Sequence, residues 1–348
     1  MLKARYSPYT LTFKVPSGTS RGVLTEKPSW YIFISDSHSI GIGEVSIIPG
    51  LSVDDPHHVG KILDKVCRDI NEIKNNFPDY LNEFPAIRFG LETALKDLEN
   101  GGTRVFFPSP FTEGEQPVKI NGLIWMGQPE DMDHQVRLKI EQGFRCVKIK
   151  IGAIDFEEEI DFLKKIRKKY NVTEIELRVD ANGAFTPENA LEKLNRLAQL
   201  HIHSIEQPIK PGQIDIMAGL CEKSPLPIAL DEELIGINSR REKEKILNTI
   251  NPHYIIIKPS LVGGIAASEK WIELAENLQI NWWITSALES NIGLNAIAQW
   301  TYSLNKPVIH GLGTGGLYSN NVPSPLKVQK AGLYHLPELS WDLKIFDM

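Results

Sequence analysis

Cysteine is scarce: Cys67, Cys146 and Cys221 are the only three in 348 residues. An odd, widely spaced set builds neither a disulfide scaffold nor a cysteine zinc site. Long apolar runs are also missing, and none approaches the ~18 residues of a membrane span, so no membrane partner is expected. Basic charge is not in excess. There are 38 Lys and Arg against 44 Asp and Glu, a net −6, with no basic stripe to neutralise a phosphate backbone. Nucleic acid is therefore not an expected partner. Glycine and proline, 26 and 22, stand near average usage, which excludes low-complexity and collagen-like classes. The opening MLKARYSPYTLTFKVPSG lacks the apolar core of a signal peptide and reads as a mature start. What remains is a globular, cytoplasmic protein, long enough for about two domains at ~100–200 residues each.

The first hundred residues differ from the rest. Segments 4–15 and 29–35 are β-branched and aromatic, with turn signals between them, and predict antiparallel strands; 41–51 ends that sheet. Residues 56–75 and 85–99 carry helical spacing, the latter with Ile87, Leu91, Leu95 and Leu98 on one face. This is an α+β unit. From about 118 short apolar runs recur at 118–124, 146–151, 174–180, 203–209, 227–232, 254–259, 282–289 and 307–312. Amphipathic stretches such as 134–144, 157–170, 187–200 and 264–278 separate them. Eight strands alternating with helices predict an α/β barrel, a slightly compressed (β/α)8 or TIM barrel, rather than an open doubly wound sheet.

Barrel strands are buried on both faces and should be apolar. Five consecutive ones instead end in ionisable residues: Lys148 and Lys150, then Asp180, Glu206, Asp231 and Lys258. From Lys150 the successive separations are 30, 26, 25 and 27 residues, one βα repeat each. Equal depth in successive strands means equal height at the mouth, where a TIM barrel carries its active site. Three converging carboxylates cannot all ionise unaided, and an oxygen-only set without His or Cys matches Mg²⁺, with Mn²⁺ as a substitute. Taken singly, each carboxylate is an ordinary solvated strand end; the repeat spacing and the bracketing lysines argue otherwise. An unperturbed lysine, pKa near ~10.4, is a poor base at pH 7. A neighbouring ammonium, a divalent cation and burial would have to lower it by about 3 units, or roughly 4 kcal/mol. Such a lysine can take a proton α to a carboxylate if the metal holds the enediolate.

VKIKIG, RVDANGAF, SIEQPI, ALDEEL and IIIKPSLVGG, in that order, resemble the enolase superfamily, in its muconate-lactonising-enzyme-like branch. The resemblance covers nearly the whole chain, including GIGEVSIIPG and RFGLETALKDL, which match that family's N-terminal capping domain. A lysine base with Mg²⁺ is an established strategy of that superfamily. The resemblance implies a capping domain over 1–115, joined by the tail 323–348, and a barrel over 116–322. It implies Asp180, Glu206 and Asp231 as magnesium ligands. Lys150 becomes base, then acid in a syn elimination of water, and Lys258 the cation facing the enediolate. Lys148 and Arg178 become supporting cations, and Asn182 an outer partner of the site.

TSALESNIGL (285–294) and HGLGTGGLY (310–318) look most like the o-succinylbenzoate-forming lyases of that branch. These dehydrate a succinyl-bearing cyclohexadiene carboxylate, a small-molecule substrate. N-acylamino-acid racemases and dipeptide epimerases share the same six residues, so that alternative stays open. A ligand-binding barrel without catalysis would bury six ionisable groups to no purpose. A Schiff-base aldolase would not need three carboxylates around a metal.

Other candidates are weaker. Gly311, Gly313 and Gly316 spell GxGxxG, but no helix is expected after them, which excludes a dinucleotide site. Gly313, Gly315 and Gly316 instead offer backbone N–H groups to a substrate carboxylate, or simply close the barrel. Ser286 is a candidate carboxylate ligand beside Glu289, or else a helix cap. Loops 17–21 and 49–52 are expected over the mouth, with Arg21 as a partner for a second carboxylate. His310 reads as a core histidine, and Cys146 and Trp125 as packing residues. Nothing in the sequence fixes the oligomeric state.

Overall fold

The computed structural model describes residues 1–19 and 22–346. Strands β1 (Lys3–Thr19), β2 (Gly22–Ser35) and β3 (Ile40–Ser46) form an antiparallel sheet in the order β1-β2-β3. Four helices follow: α1 (Pro56–Arg68), α2 (Ile70–Ile73), α3 (Phe77–Tyr80) and α4 (Pro85–Glu99). Asp55 starts α1 by accepting from the His57 N–H, with Pro56 in the first turn. Helix α4 lays Ile87, Leu91 and Ala94 on Ile32, Ile34 and Val45 of the sheet. The approach is so close that a Cβ on Gly43 would run into the Gly90 carbonyl, which explains the glycines of GIGE.

The second unit opens with β4 (Val118–Lys119) and β5 (Gly122–Ile124). It alternates through α5 (Pro129–Glu141), β6 (Cys146–Lys150), α6 (Phe156–Lys169), β7 (Glu176–Asp180), α7 (Pro187–Ala198), β8 (Ser204–Glu206) and α8 (Ile214–Lys223). It continues with β9 (Ile228–Leu230), α9 (Arg240–Ile250), β10 (Tyr254–Ile257), α10 (Pro259–Val262), α11 (Ile265–Asn277), β11 (Asn281–Ile284) and α12 (Asn291–Ser303). Strands β5 to β11 make one parallel sheet in chain order, curled as in a modified TIM barrel. Their outward residues, such as Val147, Ile149, Leu177 and Ile205 (the alternate positions), join one large core with the helices.

The eighth βα unit departs from the expected pattern. Residues 307–312 form no regular strand; His310 makes a parallel bridge to Ile120 and Gly311 one to Thr285, which closes the ring. Proline at 307 and glycines at 311 and 313 disfavour a longer ladder. Among the described residues no α-helix follows, only a 3-10 turn at Lys344–Phe346. Instead the hairpin β12 (Leu326–Gln329) and β13 (Gly332–His335) pairs with β4. The tail thus splits its contacts: its hairpin joins the barrel side, while Phe346 packs on Tyr31 and Phe33 of the N-terminal sheet. Among the described residues, no helix is long and apolar enough to cross a membrane.

Candidate active site

The register of the parallel sheet sets the site. Lys150 pairs with Asp180 and Asp180 with Glu206, so β6, β7 and β8 present these three side chains at one height. Asp231 stands just past β9 and Lys258 just past β10. All are drawn into one network. Lys150 Nζ lies 3.1 Å from Asp180 Oδ2 and 2.6 Å from Asn182 Oδ1. Lys148 Nζ lies 2.7 Å from Glu206 Oε2 and 3.3 Å from Asp180 Oδ2. Lys258 bonds to Asp231 and stands 3.5 Å from Glu206 Oε1. Asn182, in the left-handed region at φ 43°, donates from Nδ2 to Glu232 Oε1 at 3.1 Å. Gln207 braces the next loop, its Oε1 accepting from the backbone N–H of Asp231 and of Glu233.

Charge balance follows from burial. Burial opposes ionisation of Asp180, but Lys150, Lys148 and Lys258 outweigh it and hold this carboxyl well below the usual range. Glu206, buried and facing Asp180, is pushed up to about 7. Burial works against the Lys258 ammonium, yet Asp231 and Glu206 raise its pKa, and Glu206 and Asp180 do the same for Lys148. For these two lysines the carboxylates are the nearest charges and decide the sign.

The donor set suits a hard cation, being three buried carboxylates with no softer ligand among them. Among the described residues no three acidic, His or Cys side chains already gather around one point. The ammoniums lie between them, Lys148 bridging Asp180 and Glu206, and Lys258 bridging Glu206 and Asp231. An ion held by these carboxylates would compete with the lysines for the same oxygens.

A cavity of about 150 Å³ sits over this network, bordered by Lys148, Lys150, Asp180, Asn182 and Lys258. Its upper wall comes from the N-terminal unit, with Gly22, Leu24, Ile48, Pro49 and Leu51. Its far wall is Thr285–Leu288 together with Gly311, Gly313 and Thr314.

Several expected residues stand elsewhere. Arg178 does not reach the mouth: its Nε donates to Glu176 at 2.7 Å, one terminal N–H to the Ile309 carbonyl at 3.1 Å, and the guanidinium covers Trp283 at 4.4 Å. Asp180 is already held by two lysines, so the arginine turns down to Glu176. Of the three closing glycines only Gly313 borders the cavity. The Gly315 carbonyl accepts from Asn321, and Gly316 faces an outer groove with Ser17 and Val328. Ser286 borders the cavity, its Oγ 2.6 Å from Thr314 Oγ1, and the cap of α12 is Ser290 instead. His310 is a core histidine whose Nδ1 accepts from the Ile284 N–H; burial and then Arg178 depress it to about 3. Arg21 lies outside the described residues.

Trp125, read as packing, is a cavity residue with its ring 5.9 Å from Lys150 Nζ. Counting registers would have found it, because Ile124 pairs with Ile149 and so places Trp125 level with Lys150. No sequence signal marked Asn121 or Thr314.

Residues 131–339 match the family model described as enolase C-terminal domain-like. The chain is 47% identical to a protein of Desulfotalea psychrophila named o-succinylbenzoate synthase, over 94% of this chain and 97% of that one. The crystal structure of MenC from Desulfotalea psychrophila LSv54 superposes with a TM-score of 0.86 at 44% identity, covering 96% of this chain and 99% of that one. A dipeptide epimerase from Enterococcus faecalis V583, solved with Mg and the dipeptide L-Leu-L-Tyr, shares the fold. Its TM-score is 0.81 at 20% identity, covering 97% of this chain and 98% of that one. With a family model over more than half its length and so similar a relative along nearly all of it, the chain belongs to the enolase superfamily.

Proposed function

We infer that the chain is a magnesium-dependent lyase, an o-succinylbenzoate synthase. It would remove water from 2-succinyl-6-hydroxy-2,4-cyclohexadiene-1-carboxylate to form o-succinylbenzoate. The observation that carries the choice of substrate is the 47% identity to a protein of that name along almost the whole chain. The network itself suits proton removal next to a carboxylate. Asp180, Glu206 and Asp231 would hold Mg²⁺, which supplies positive charge where the enediolate gains negative charge. Lys150, oriented by Asn182, would take the α proton and return it to the departing hydroxyl on the same face. Lys258, across the cavity, keeps its proton and offsets the developing charge. Lys148, on the cavity floor, holds Asp180 and Glu206 in place. Ser286, Gly313 and Thr314 face the substrate from the far wall. We assign Arg178 to the barrel floor, and we place the capping unit at 1–115 with tail 323–348 around a barrel of 116–322. The three cysteines are all unpaired, in keeping with a reducing cytoplasm.

Racemisation of N-acyl amino acids is the second reading, favoured by Lys150 and Lys258 bordering the same cavity. The experiment that separates the two follows α-proton exchange in D₂O with both enantiomers of an N-succinyl amino acid. Dehydration needs one face, so Lys150→Ala should abolish exchange and Lys258→Ala should leave exchange by Lys150. If each single variant instead loses exchange with one enantiomer and keeps it with the other, racemisation is the native reaction.

A further inference from the structure

Fully buried ionisable residues that take no part in this chemistry include Lys27 and Glu44 of the N-terminal sheet, and Glu289 in the loop after β11. We propose that Lys27, Glu44 and Glu289 form a sealed charge cluster that positions Leu288 as a specificity-determining wall of the catalytic cavity. Lys27 Nζ donates to Ser29 Oγ at 2.8 Å and Ser46 Oγ at 2.9 Å, and stands 3.9 Å from Glu44. Glu44 reaches across to the barrel. Its Oε1 accepts from the Ser290 N–H at 2.9 Å, and its Oε2 from Ser290 Oγ at 2.6 Å and the Gly293 N–H at 3.0 Å. Ser46 Oγ donates to the Ala287 carbonyl at 3.4 Å. Glu289 accepts from the Ala287 N–H at 2.8 Å and from the Ser260 hydroxyl. The Leu288 carbonyl accepts from Tyr318 Oη at 2.6 Å.

The clamped segment is only four residues long, and Leu288 within it holds φ at 61°. A leucine stays in the left-handed region only where its surroundings fix it. Its side chain lies between two patches of the N-terminal unit, one with Leu11, Phe13 and Leu24 and one with Ile48 and Leu51. It borders the cavity beside Leu24 and Leu51. An apolar plug would seal this junction equally well, but a carboxylate gives direction to every hydrogen bond it accepts. Burial pushes Glu289 up to about 7 and lowers Lys27, as expected for a cluster kept from water.

The role in substrate fit rests on the function proposed above; the clamping of the loop does not. The test uses the full chain as wild type, Glu44→Gln, Ser290→Ala and Leu288→Ala. Amide hydrogen exchange over 285–291 is measured without substrate, and KM and kcat on the cyclohexadiene carboxylate with Mg²⁺. Leu288→Ala should raise KM about fivefold or more, with kcat within about twofold and exchange unchanged. In Glu44→Gln one acceptor becomes a donor facing N–H groups; exchange in 285–291 should quicken about tenfold, the rest of the barrel staying protected, and KM should rise alike. The double variant Glu44→Gln/Leu288→Ala should show the KM of Leu288→Ala alone, because both act through one wall. Should Glu44→Gln fail to fold, Ser290→Ala removes one donor and should shift both readouts the same way. Unchanged exchange in the loop, or a wild-type KM in a folded Glu44 or Ser290 variant, overturns the proposal. A wild type that does not turn over the cyclohexadiene sinks the assigned function, while the exchange result still decides the clamp.

Discussion

At the scale of single residues, the closing glycines separate by what a side chain would meet. A Cβ on Gly311 would stand 2.6 Å from Thr285 Oγ1 and 2.9 Å from its Cγ2, and Thr285 borders the cavity. Overpacking of that kind costs about 1–3 kcal/mol and displaces the neighbour. Gly311→Ala is expected to lower kcat/KM by about tenfold and to depress Tm. Around Gly316 nothing lies within 4 Å. Gly316→Val should therefore leave KM and Tm within error. Gly316 borders a groove that meets the cavity at Asn121, Leu123, Trp125 and Gly313, and a Gly316→Val enzyme with weakened substrate binding would place that glycine in the site. Leucine at 288 and tryptophan at 125 belong to the same scale: their type is common in any core, and only the fold reveals that they face a cavity.

At the scale of elements, the N-terminus of α4 is held by Asp54, which accepts from the Ala86 N–H at 2.9 Å and the Ile87 N–H at 3.3 Å. Burial nevertheless dominates and raises this carboxyl from 3.8 to about 6. The folded state then binds more protons than the unfolded one between those values, so stability falls as pH rises through that window. The cost should reach about 3 kcal/mol above pH 6. Asp54→Asn removes the titration, so its Tm relative to wild type should climb between pH 4 and pH 6 and level off above. A constant difference across that range would show that Asp54 does not titrate there.

Elements also explain what was legible in advance. Lys150, Asp180, Glu206, Asp231 and Lys258 could be found because parallel strands of equal pitch carry equal positions to equal heights. The α+β start and the helices at Phe156–Lys169, Pro187–Ala198 and Ile265–Asn277 followed from periodicity. The eighth strand did not, since two bridges at His310 and Gly311 close the barrel without a ladder. Arg178 was misplaced for a different reason. Its position on β7 is inward as expected, but a long side chain goes to the nearer unpaired carboxylate, and Glu176 lies two residues back along the strand.

At the scale of the whole molecule, the cavity exists only where two units meet: the barrel supplies the charged floor and the N-terminal unit supplies the apolar roof. A roof that excludes water strengthens every charge interaction below it. On the function proposed above, the three carboxylates of this buried network would hold a divalent cation, and the overall account rests on that dependence. The most direct measurement is formation of the aromatic product, followed by ultraviolet absorbance, with Mg²⁺ present and after exhaustive chelation. Wild type with Mg²⁺ should turn over the cyclohexadiene carboxylate. Chelation, Asp180→Asn, Glu206→Gln or Asp231→Asn should each reduce the rate by about a thousandfold or more, with Mg²⁺ restoring only the chelated wild type. Undiminished turnover after chelation would contradict the account.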